Sequence, residues 1–130
     1  MIEFHLDPRS GVATYLQIVQ QVKEALRLGM LDVGDQLPTV REVVADLAIN
    51  PNTVAKAYRE LEREGLVVAR QGRGTFVAST LAPPSFRHYD ELRARLEAWL
   101  EAADDAGLDE ESIRALISST LREARARHVA

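Results

Sequence analysis

The sequence predicts a mainly α-helical protein, and three observations support that class. Apolar residues make up 46% of the 130-residue chain but aromatic residues only 5%, so helix formers outnumber the aromatic residues that favour strands. Apolar stripes recur at the three- and four-residue spacing of helices along most of the chain. Strand-like runs flank a glycine-rich turn, QGRG, at residues 71–74.

The first predicted helix covers about residues 14–28. Its apolar positions recur at helical spacing and stop before Gly29; they are Tyr15, Ile18, Val19, Val22 and Leu26. The next segment, GMLDVGDQLP, contains two glycines and a proline. This composition predicts a short extended connector that ends at Pro38.

Two short helices joined by a turn are predicted next. Thr39 begins the first with a capping box, because its hydroxyl and the side chain of Glu42 can each bond a backbone N–H of the other residue. The turn AIN leads into the second helix, which Asn50 caps and Pro51 opens. Two short helices with such a turn form a helix-turn-helix.

A two-stranded ribbon is predicted directly after the helix-turn-helix. Residues 66–70 and 75–78 form its strands, and the two glycines of QGRG supply the positive φ angles of its turn. We therefore expect residues 1–78 to form a winged helix-turn-helix domain. Residues 79–89 contain two prolines and two serines, which predicts a linker.

Residues 90–130 are predicted to form a two-helix hairpin that dimerises the chain. One apolar stripe ends at Gly107, and Asp109 caps the next helix. A hairpin of about forty residues rarely buries two apolar stripes by itself, and a second copy of the chain can supply the missing surface. The predicted dimer contacts are Leu92, Leu96, Trp99, Leu100, Ile113, Leu116, Ile117 and Leu121.

The helix after Asn50 carries hydrogen-bonding side chains on its outer face. Helical geometry leaves Asn52, Thr53 and Lys56 in its exposed first turns. Asn and Lys match the major-groove patterns of adenine and guanine, and Thr can bond a base or contact the thymine methyl. We expect these residues to contact DNA bases; the alternative is that they only solvate a surface helix. Arg59 and Arg63 extend the outer row, and the inward stripe is Val54, Ala57, Tyr58 and Leu61.

Charge is distributed unevenly along the chain. The net charge of −4 disfavours a polyanionic partner, but residues 51–76 hold five basic and three acidic side chains, a net charge of +2. Within that window Arg73 lies at the tip of the ribbon, where it can contact a phosphate or the minor groove. The positive window therefore coincides with the predicted DNA-binding elements.

Other functions find little support in the sequence. The chain has no cysteine, and its histidines, His5, His88 and His128, lie too far apart in sequence for a paired metal site. No nucleophile has a base at a recognisable spacing, and no apolar run reaches the roughly 18 residues of a membrane span. We expect a cytoplasmic protein that is not an enzyme and has no cofactor or metal. His88 and Tyr89 are expected to make a hinge contact, with the lining of a small pocket as the alternative.

Residues 15–77 closely resemble the GntR family of bacterial transcription regulators, and within it the YtrA-like subgroup. The matching phrases are YLQIVQQVKEAL, GMLDVGDQLPTVREVVADLAINPNTVAKAYRELEREGLV and RQGRGTFV. A two-helix tail of this length is also similar to that subgroup. The resemblance implies a homodimer that binds an operator, usually as a repressor and often beside genes for ABC transporters.

The resemblance also assigns individual DNA contacts. Arg41 occupies the arginine position of the family's LPSxRELA segment, Thr53 matches the threonine that starts the recognition helix, and Gln71 and Gly72 match the wing tip. Many members carry an arginine where this chain has Ala55, so one base contact of the wider family is missing.

The sequence therefore predicts a sequence-specific DNA-binding regulator that binds an inverted repeat as a homodimer, with recognition helices about 34 Å apart. The predicted DNA surface consists of Thr39, Arg41, Asn50, Asn52, Thr53, Lys56, Gln71, Gly72 and Arg73. Two alternatives stay open. The winged helix could be an adaptor that binds an acidic protein, or the repressor could be gated by a small-molecule effector bound near the linker.

Overall fold

The computed structural model describes residues 2–83 and 89–129. The chain divides into two compact units, Met1–Phe86 and Arg87–Ala130. The described part contains α1 (Thr14–Arg27), α2 (Val40–Leu47), α3 (Pro51–Arg63), β1 (Val67–Arg70), β2 (Gly74–Val77), α4 (Tyr89–Asp105) and α5 (Glu110–Val129). The predicted mainly helical, winged-helix class is confirmed. The expected hinge contact involves His88 and the side chain of Tyr89, which lie outside the described residues.

The ends of α2 and α3 are capped as the sequence predicts. The backbone N–H of Glu42 donates to the Thr39 hydroxyl at 3.1 Å, and the Thr39 N–H donates to the Glu42 carboxylate at 3.1 Å. The Asn50 side chain accepts from the N–H of Asn52 at 2.8 Å, and Pro51 is the first residue of α3. Both helices therefore begin at residues fixed by local hydrogen bonds.

The turn between α2 and α3 depends on a residue that gives no turn signal in the sequence. Ala48 ends α2 in the left-handed conformation, with φ 53° and ψ 44°. Its N–H donates to the carbonyl of Val44 at 2.9 Å. A residue with a Cβ adopts this backbone conformation at a cost of about 1–2 kcal/mol, which the packing of the two helices offsets.

The wing is broader than the predicted ribbon. β1 and β2 pair antiparallel with Val67 opposite Val77, and the connector after α1 adds an isolated antiparallel bridge between Gln36 and Phe76 of β2. On either side of this bridge the N–H of Leu37 donates to the carbonyl of Thr75 at 2.9 Å, and the N–H of Val77 donates to the carbonyl of Asp35 at 2.8 Å. The connector is extended as predicted, but its pairing partner could not be inferred from its composition.

The segment before α1 is held by two glutamine side chains of that helix. The Gln21 carboxamide accepts from the His5 N–H at 2.8 Å and donates to the His5 carbonyl at 2.6 Å. Gln17 does the same with Asp7, at 2.7 and 3.0 Å. Phe4, between these anchors and the start of the chain, is 7% exposed and lies in the core. This docking was not predicted.

The core of the first unit forms where α1, α2 and α3 pack together with the base of the wing. The largest side chains in it are fully buried: Ile18, Val22, Leu26, Leu37, Val43, Val54 and Leu61. Tyr58 is buried as well, and its hydroxyl donates to the carbonyl of Pro38 at 2.6 Å. Burial, with a smaller contribution from the negative charge of Glu42, raises the pKa of the Tyr58 phenol. The predicted inward stripe of α3 is thus confirmed.

The second unit consists of α4 and α5. Gly107, with φ 86°, lies between them, and Asp109 caps α5 by accepting from the N–H of Ser112 at 2.8 Å. Hydrogen bonds from Ser112 lower the pKa of the Asp109 carboxyl. Within residues 89–129 the two helices do not pack along their lengths. Most of the large apolar side chains stay exposed: Leu92, Leu96, Trp99, Leu116, Ile117 and Leu121.

None of the helices in residues 2–83 and 89–129 is long and apolar enough to cross a membrane.

Candidate nucleic-acid interface

The start of α3 presents polar side chains around a fixed first turn. Asn52 and Lys56 are exposed, and Thr53 is half-buried on the flank. The Asn50 side chain holds the turn by capping the Asn52 N–H, and its carbonyl accepts from the N–H of Thr53 at 3.0 Å. The first turn carries no acidic residue. A helix start of this kind offers backbone dipoles and hydrogen-bond donors to an anionic partner such as a DNA duplex.

Lys56 does not extend freely into solvent. Its Nζ lies 4.1 Å from the ring centroid of Tyr15, the second residue of α1. This distance is well inside the roughly 6 Å over which a cation is attracted to an aromatic face. The sequence pattern places Tyr15 only on the apolar stripe of α1 and gives no sign of this contact between the two helices.

The outer row of α3 is shorter than the sequence suggests. Arg59 is exposed, but the guanidinium of Arg63 binds the carboxylate of Glu60, with Nε 3.0 Å from Oε2 and a second bond to Oε1. Hydrogen bonding between the two groups lowers the pKa of Glu60 and raises that of Arg63. The negative partner screens Arg63, so the cationic face of α3 consists mainly of Lys56 and Arg59.

At the start of α2, two predicted phosphate contacts are exposed. Thr39 uses its hydroxyl oxygen as the cap acceptor, which leaves the hydroxyl hydrogen able to donate outward. Arg41 is the second residue of α2 and is exposed. These residues can donate to phosphate oxygens without any rearrangement of the helix end.

The wing tip presents Gln71, Gly72 and Arg73, all exposed. Gly72 has φ 74°, which the tight turn requires and which suits glycine. The side chain of Gln36, from the connector, donates from Nε2 to the carbonyl of Arg73 at 3.1 Å. Gln36 therefore holds the backbone of the tip in place. Its spacing from the wing in sequence, 37 residues, gave no signal of this contact.

All nine predicted DNA-binding residues lie in the first unit. They occupy the start of α2, the start of α3 and the wing tip, and each is fully or partly exposed. Two residues that support them were missed: Tyr15 beneath Lys56 and Gln36 behind the wing. Spatial contacts between residues distant in sequence leave no local periodicity, so only the folded chain reveals them.

The pattern of the bacterial regulatory proteins of the gntR family matches residues 14–77. A regulator of Bacillus subtilis, YhcF, is 36% identical over 110 residues, which cover 81% of this chain and 87% of that protein. The chain belongs to the GntR family. It therefore carries a DNA-binding domain of this family in α1 to β2.

Similarity to a YtrA repressor confirms the predicted subgroup. The transcriptional repressor YtrA of Bacillus subtilis is 51% identical over 73 residues. The match covers 56% of this chain and 56% of that repressor, so the chain spans about half the length of the repressor it matches. The shared part is the half that contains the candidate DNA interface.

Solved structures of family members share the fold. YtrA from Sulfolobus acidocaldarius superimposes with a TM-score of 0.55 at 34% identity, over 75% of this chain and 97% of that one. A Listeria monocytogenes protein described as a transcriptional antiterminator gives a TM-score of 0.59 at 33% identity, over 92% and 90% of the chains. The DNA-binding domain of AraR, solved in complex with its operator ORX1, gives 0.51 at 27% identity, over 58% and 93%.

Proposed function

We propose that this GntR-family chain is a sequence-specific transcriptional repressor that binds an inverted-repeat operator as a homodimer in the cytoplasm. The observation that carries the proposal is the start of α3, where Asn52, Thr53 and Lys56 stand at a capped, acid-free helix end. In helix-turn-helix proteins this part of the second helix approaches the base edges of the major groove. The AraR domain, bound to its operator, supports this assignment by analogy.

The contacts divide into two kinds. Asn52, Thr53 and Lys56 contact base edges, because amide, hydroxyl and ammonium groups match the donors and acceptors exposed there. The exposed residues of α2 and the wing, Thr39, Arg41, Gln71, Gly72 and Arg73, bond phosphates and sugars and so set the position of α3 on the duplex. Specificity then resides in α3 and much of the salt dependence resides in the arginines.

The second unit supplies the dimer. The exposed fractions of Leu92, Leu96 and Leu121 are 60%, 50% and 54%, and these side chains lie on two helices that do not cover each other. Exposed apolar patches on a folded chain mark interaction surfaces. A second copy carries the same stripes and can bury all of them in a symmetric interface. Two chains joined in this way place two copies of α3 on one operator.

The proposal is tested by selecting bound duplexes from random DNA with the full chain. We expect enriched sequences with two inverted half-sites whose centres are one helical turn, about 34 Å, apart or a multiple of that distance. Binding that shows no preferred sequence, or an acidic protein that binds better than any duplex, would favour the adaptor alternative. The genes beside matches to the selected site test whether ABC transporters are targets.

The base contacts are tested with a charge-matched pair of variants. Lys56→Ala is expected to weaken binding to the selected operator by about 1–3 kcal/mol and to relax preference at one position. Arg27→Ala removes the same charge from an exposed residue in the last turn of α1, and should leave the preference unchanged. Equal losses on operator and random duplexes would contradict a base-contacting role for Lys56.

A further inference from the structure

We propose that Tyr15 is a positioning residue that aims Lys56 at a base edge. The inference rests on the proposed function and adds to it a residue on a helix outside the helix-turn-helix. Its basis is the contact between Lys56 Nζ and the Tyr15 ring, 4.1 Å from the centroid. Tyr15 lies at the start of α1, and Lys56 lies in the second turn of α3.

The ring has a fixed position. Tyr15 is half-buried and packs against the core of the first unit, where α1 lies against α3. Its neighbours Ile18 and Val19 on α1 are almost completely buried. Because the ring belongs to the packed part of the molecule, it can restrict a flexible side chain that touches it.

Lys56 gains direction from this contact. A lysine side chain has four rotatable bonds, and an exposed lysine must give up this freedom when it bonds a base. The ring attracts the ammonium through its negative face, which leaves N–H groups on the far side able to donate to guanine O6 and N7. Part of the ordering is therefore complete before DNA binds, as in other pre-organised interfaces.

The same contact could have the opposite effect. If the ring holds Lys56 away from the duplex, the contact must break on binding, and removing the ring should then strengthen operator binding. The two possibilities predict affinity changes of opposite sign. The exposed position of Lys56 in the acid-free first half of α3 favours the aiming role.

The test is a double-mutant cycle on the selected operator. Tyr15→Leu removes the aromatic face, Tyr15→Phe keeps it, and Lys56→Met removes the charge while keeping the length of the side chain. We expect Tyr15→Leu to weaken operator binding about two- to fivefold, and Tyr15→Phe to leave it within about twofold. In the Lys56→Met background the loss caused by Tyr15→Leu should disappear.

A structural role for Tyr15 makes different predictions. General loosening of the unit would weaken binding to operator and random duplex alike, and it would persist in the Lys56→Met background. Amide hydrogen exchange in α3 of each variant checks that the unit remains folded. A loss from Tyr15→Leu that is the same with and without Lys56, or a gain in affinity, overturns the aiming role.

The test also separates failure of the inference from failure of the proposed function. If selection enriches an operator but the cycle shows no coupling, the proposed function stands and the role of Tyr15 is wrong. If selection enriches no sequence, both are wrong. The contact itself has a readout without DNA, because the ring should shift the Lys56 Hε proton resonances upfield in the wild type and in Tyr15→Phe, but not in Tyr15→Leu.

Discussion

The two units of the chain bury their apolar stripes to very different extents. In the first unit Ile18, Val54 and Leu61 are 0% exposed, whereas in the second unit Leu92 and Leu96 are 60% and 50% exposed. Both sets recur at the same helical spacing. The pattern thus identifies the face of a helix that must be covered, but whether the cover comes from the same chain depends on the tertiary fold.

The largest expected effect comes from truncating one leucine in each unit. Leu61→Ala leaves a cavity in the closed core and should lower the free energy of unfolding of the first unit by about 2–5 kcal/mol. Leu121→Ala removes a side chain that is 54% exposed, so it should leave the first unit unchanged and weaken dimerisation instead.

Different probes distinguish these outcomes. Hydrogen exchange of α3 amides reports on the first unit, and sedimentation reports on the association of chains. The fluorescence of Trp99, the single tryptophan, reports on the second unit. If Leu121→Ala leaves the association unchanged at every concentration, Leu121 lies outside the interface and the proposed dimer surface needs revision.

The second comparison is between two glycines with positive φ, Gly74 in the wing and Gly107 in the second unit. Gly74 has φ 120°, and a Cβ there would lie 2.6 Å from Nε2 of Gln36. Gly74→Ala should therefore cost about 1–3 kcal/mol and displace the Gln36 side chain from the wing tip. Gly107, between α4 and α5, has φ 86°, and a Cβ there would meet no atom within 4 Å. Gly107→Ala should therefore cost only the backbone strain of about 1 kcal/mol.

The clash at Gly74 can be separated from backbone strain. Gln36→Ala removes the obstructing side chain, so the loss from Gly74→Ala should shrink in that background. Unfolding by urea measures the stability of each variant, and operator binding measures the wing. If Gly74→Ala lowers the stability by the same amount in the Gln36→Ala background, the whole cost comes from the φ angle.

A smaller effect is expected at alkaline pH, in the first unit. The pKa of Tyr58 is raised in the folded state, whereas the phenol of the unfolded chain ionises near its usual value of about 10. The stability linked to this proton is complete below pH about 10 and is lost as the pH rises above it. Tyr58→Phe has no phenol to ionise, so it should not lose this part of its stability at alkaline pH. At neutral pH the variant should be about 1 kcal/mol less stable, because the hydrogen bond to the Pro38 carbonyl is missing.

Urea unfolding at several pH values between 7 and 11 measures this prediction. The difference in stability between wild type and Tyr58→Phe should narrow as the pH rises above 10. Trp99 fluorescence in the second unit should respond equally in both proteins. A difference in stability that stays constant over the whole pH range would mean that the Tyr58 phenol has the same pKa in the folded and unfolded chains.

The smallest effects are expected from the helix caps. Thr39→Ala should destabilise the first unit by about 1 kcal/mol through loss of the capping box. In the second unit the Asp109 cap depends on pH: its pKa is lowered, so its contribution is complete above the usual Asp value of about 3.9 and is lost as the pH falls through the lowered value.

Asp109→Asn separates charge from capping. Asparagine can cap α5 but does not titrate. The loss of helicity that protonation of Asp109 causes in acid should therefore be absent from this variant. Circular dichroism between pH 2 and 6 measures the difference. Identical acid profiles for Asp109→Asn and the wild type would contradict the assigned role.

Most of the fold follows from local signals, and the exceptions are contacts between distant segments. The caps at Thr39 and Asn50 and the inward stripe of α3 were predictable, because residues two to four apart determine them. The left-handed Ala48 was not, since alanine has no preference for that conformation. The bridge between Gln36 and Phe76 was not predictable either, because the two residues lie forty positions apart in the chain.

The candidate site was predictable to a similar degree. The exposed residues at the starts of α2 and α3 and at the wing tip follow from helix periodicity, turn composition and the family resemblance. The constraint that Tyr15 places on Lys56 and the bond from Gln36 to the wing depend on where α1 and the connector lie in space. Sequence patterns therefore predict which groups can contact DNA, while contacts formed in the folded chain determine how far those groups are restricted in orientation.

The glutamines that hold the first segment exploit a coincidence between two repeat lengths. Four residues of helix advance by about 6.0 Å, and two residues of extended chain advance by about 6.6 Å. Gln17 and Gln21, four apart, can therefore serve Asp7 and His5, two apart, in the way a neighbouring strand would. These four bonds are all to backbone atoms, so they place no requirement on the exposed side chains of His5 and Asp7, whereas Phe4 and Leu6 of the same segment pack against the core. A Gln-x-x-x-Gln pair on a helix thus acts as a backbone clamp that fixes two alternate residues of an extended segment, while the apolar residue beside them, here Phe4, supplies the burial.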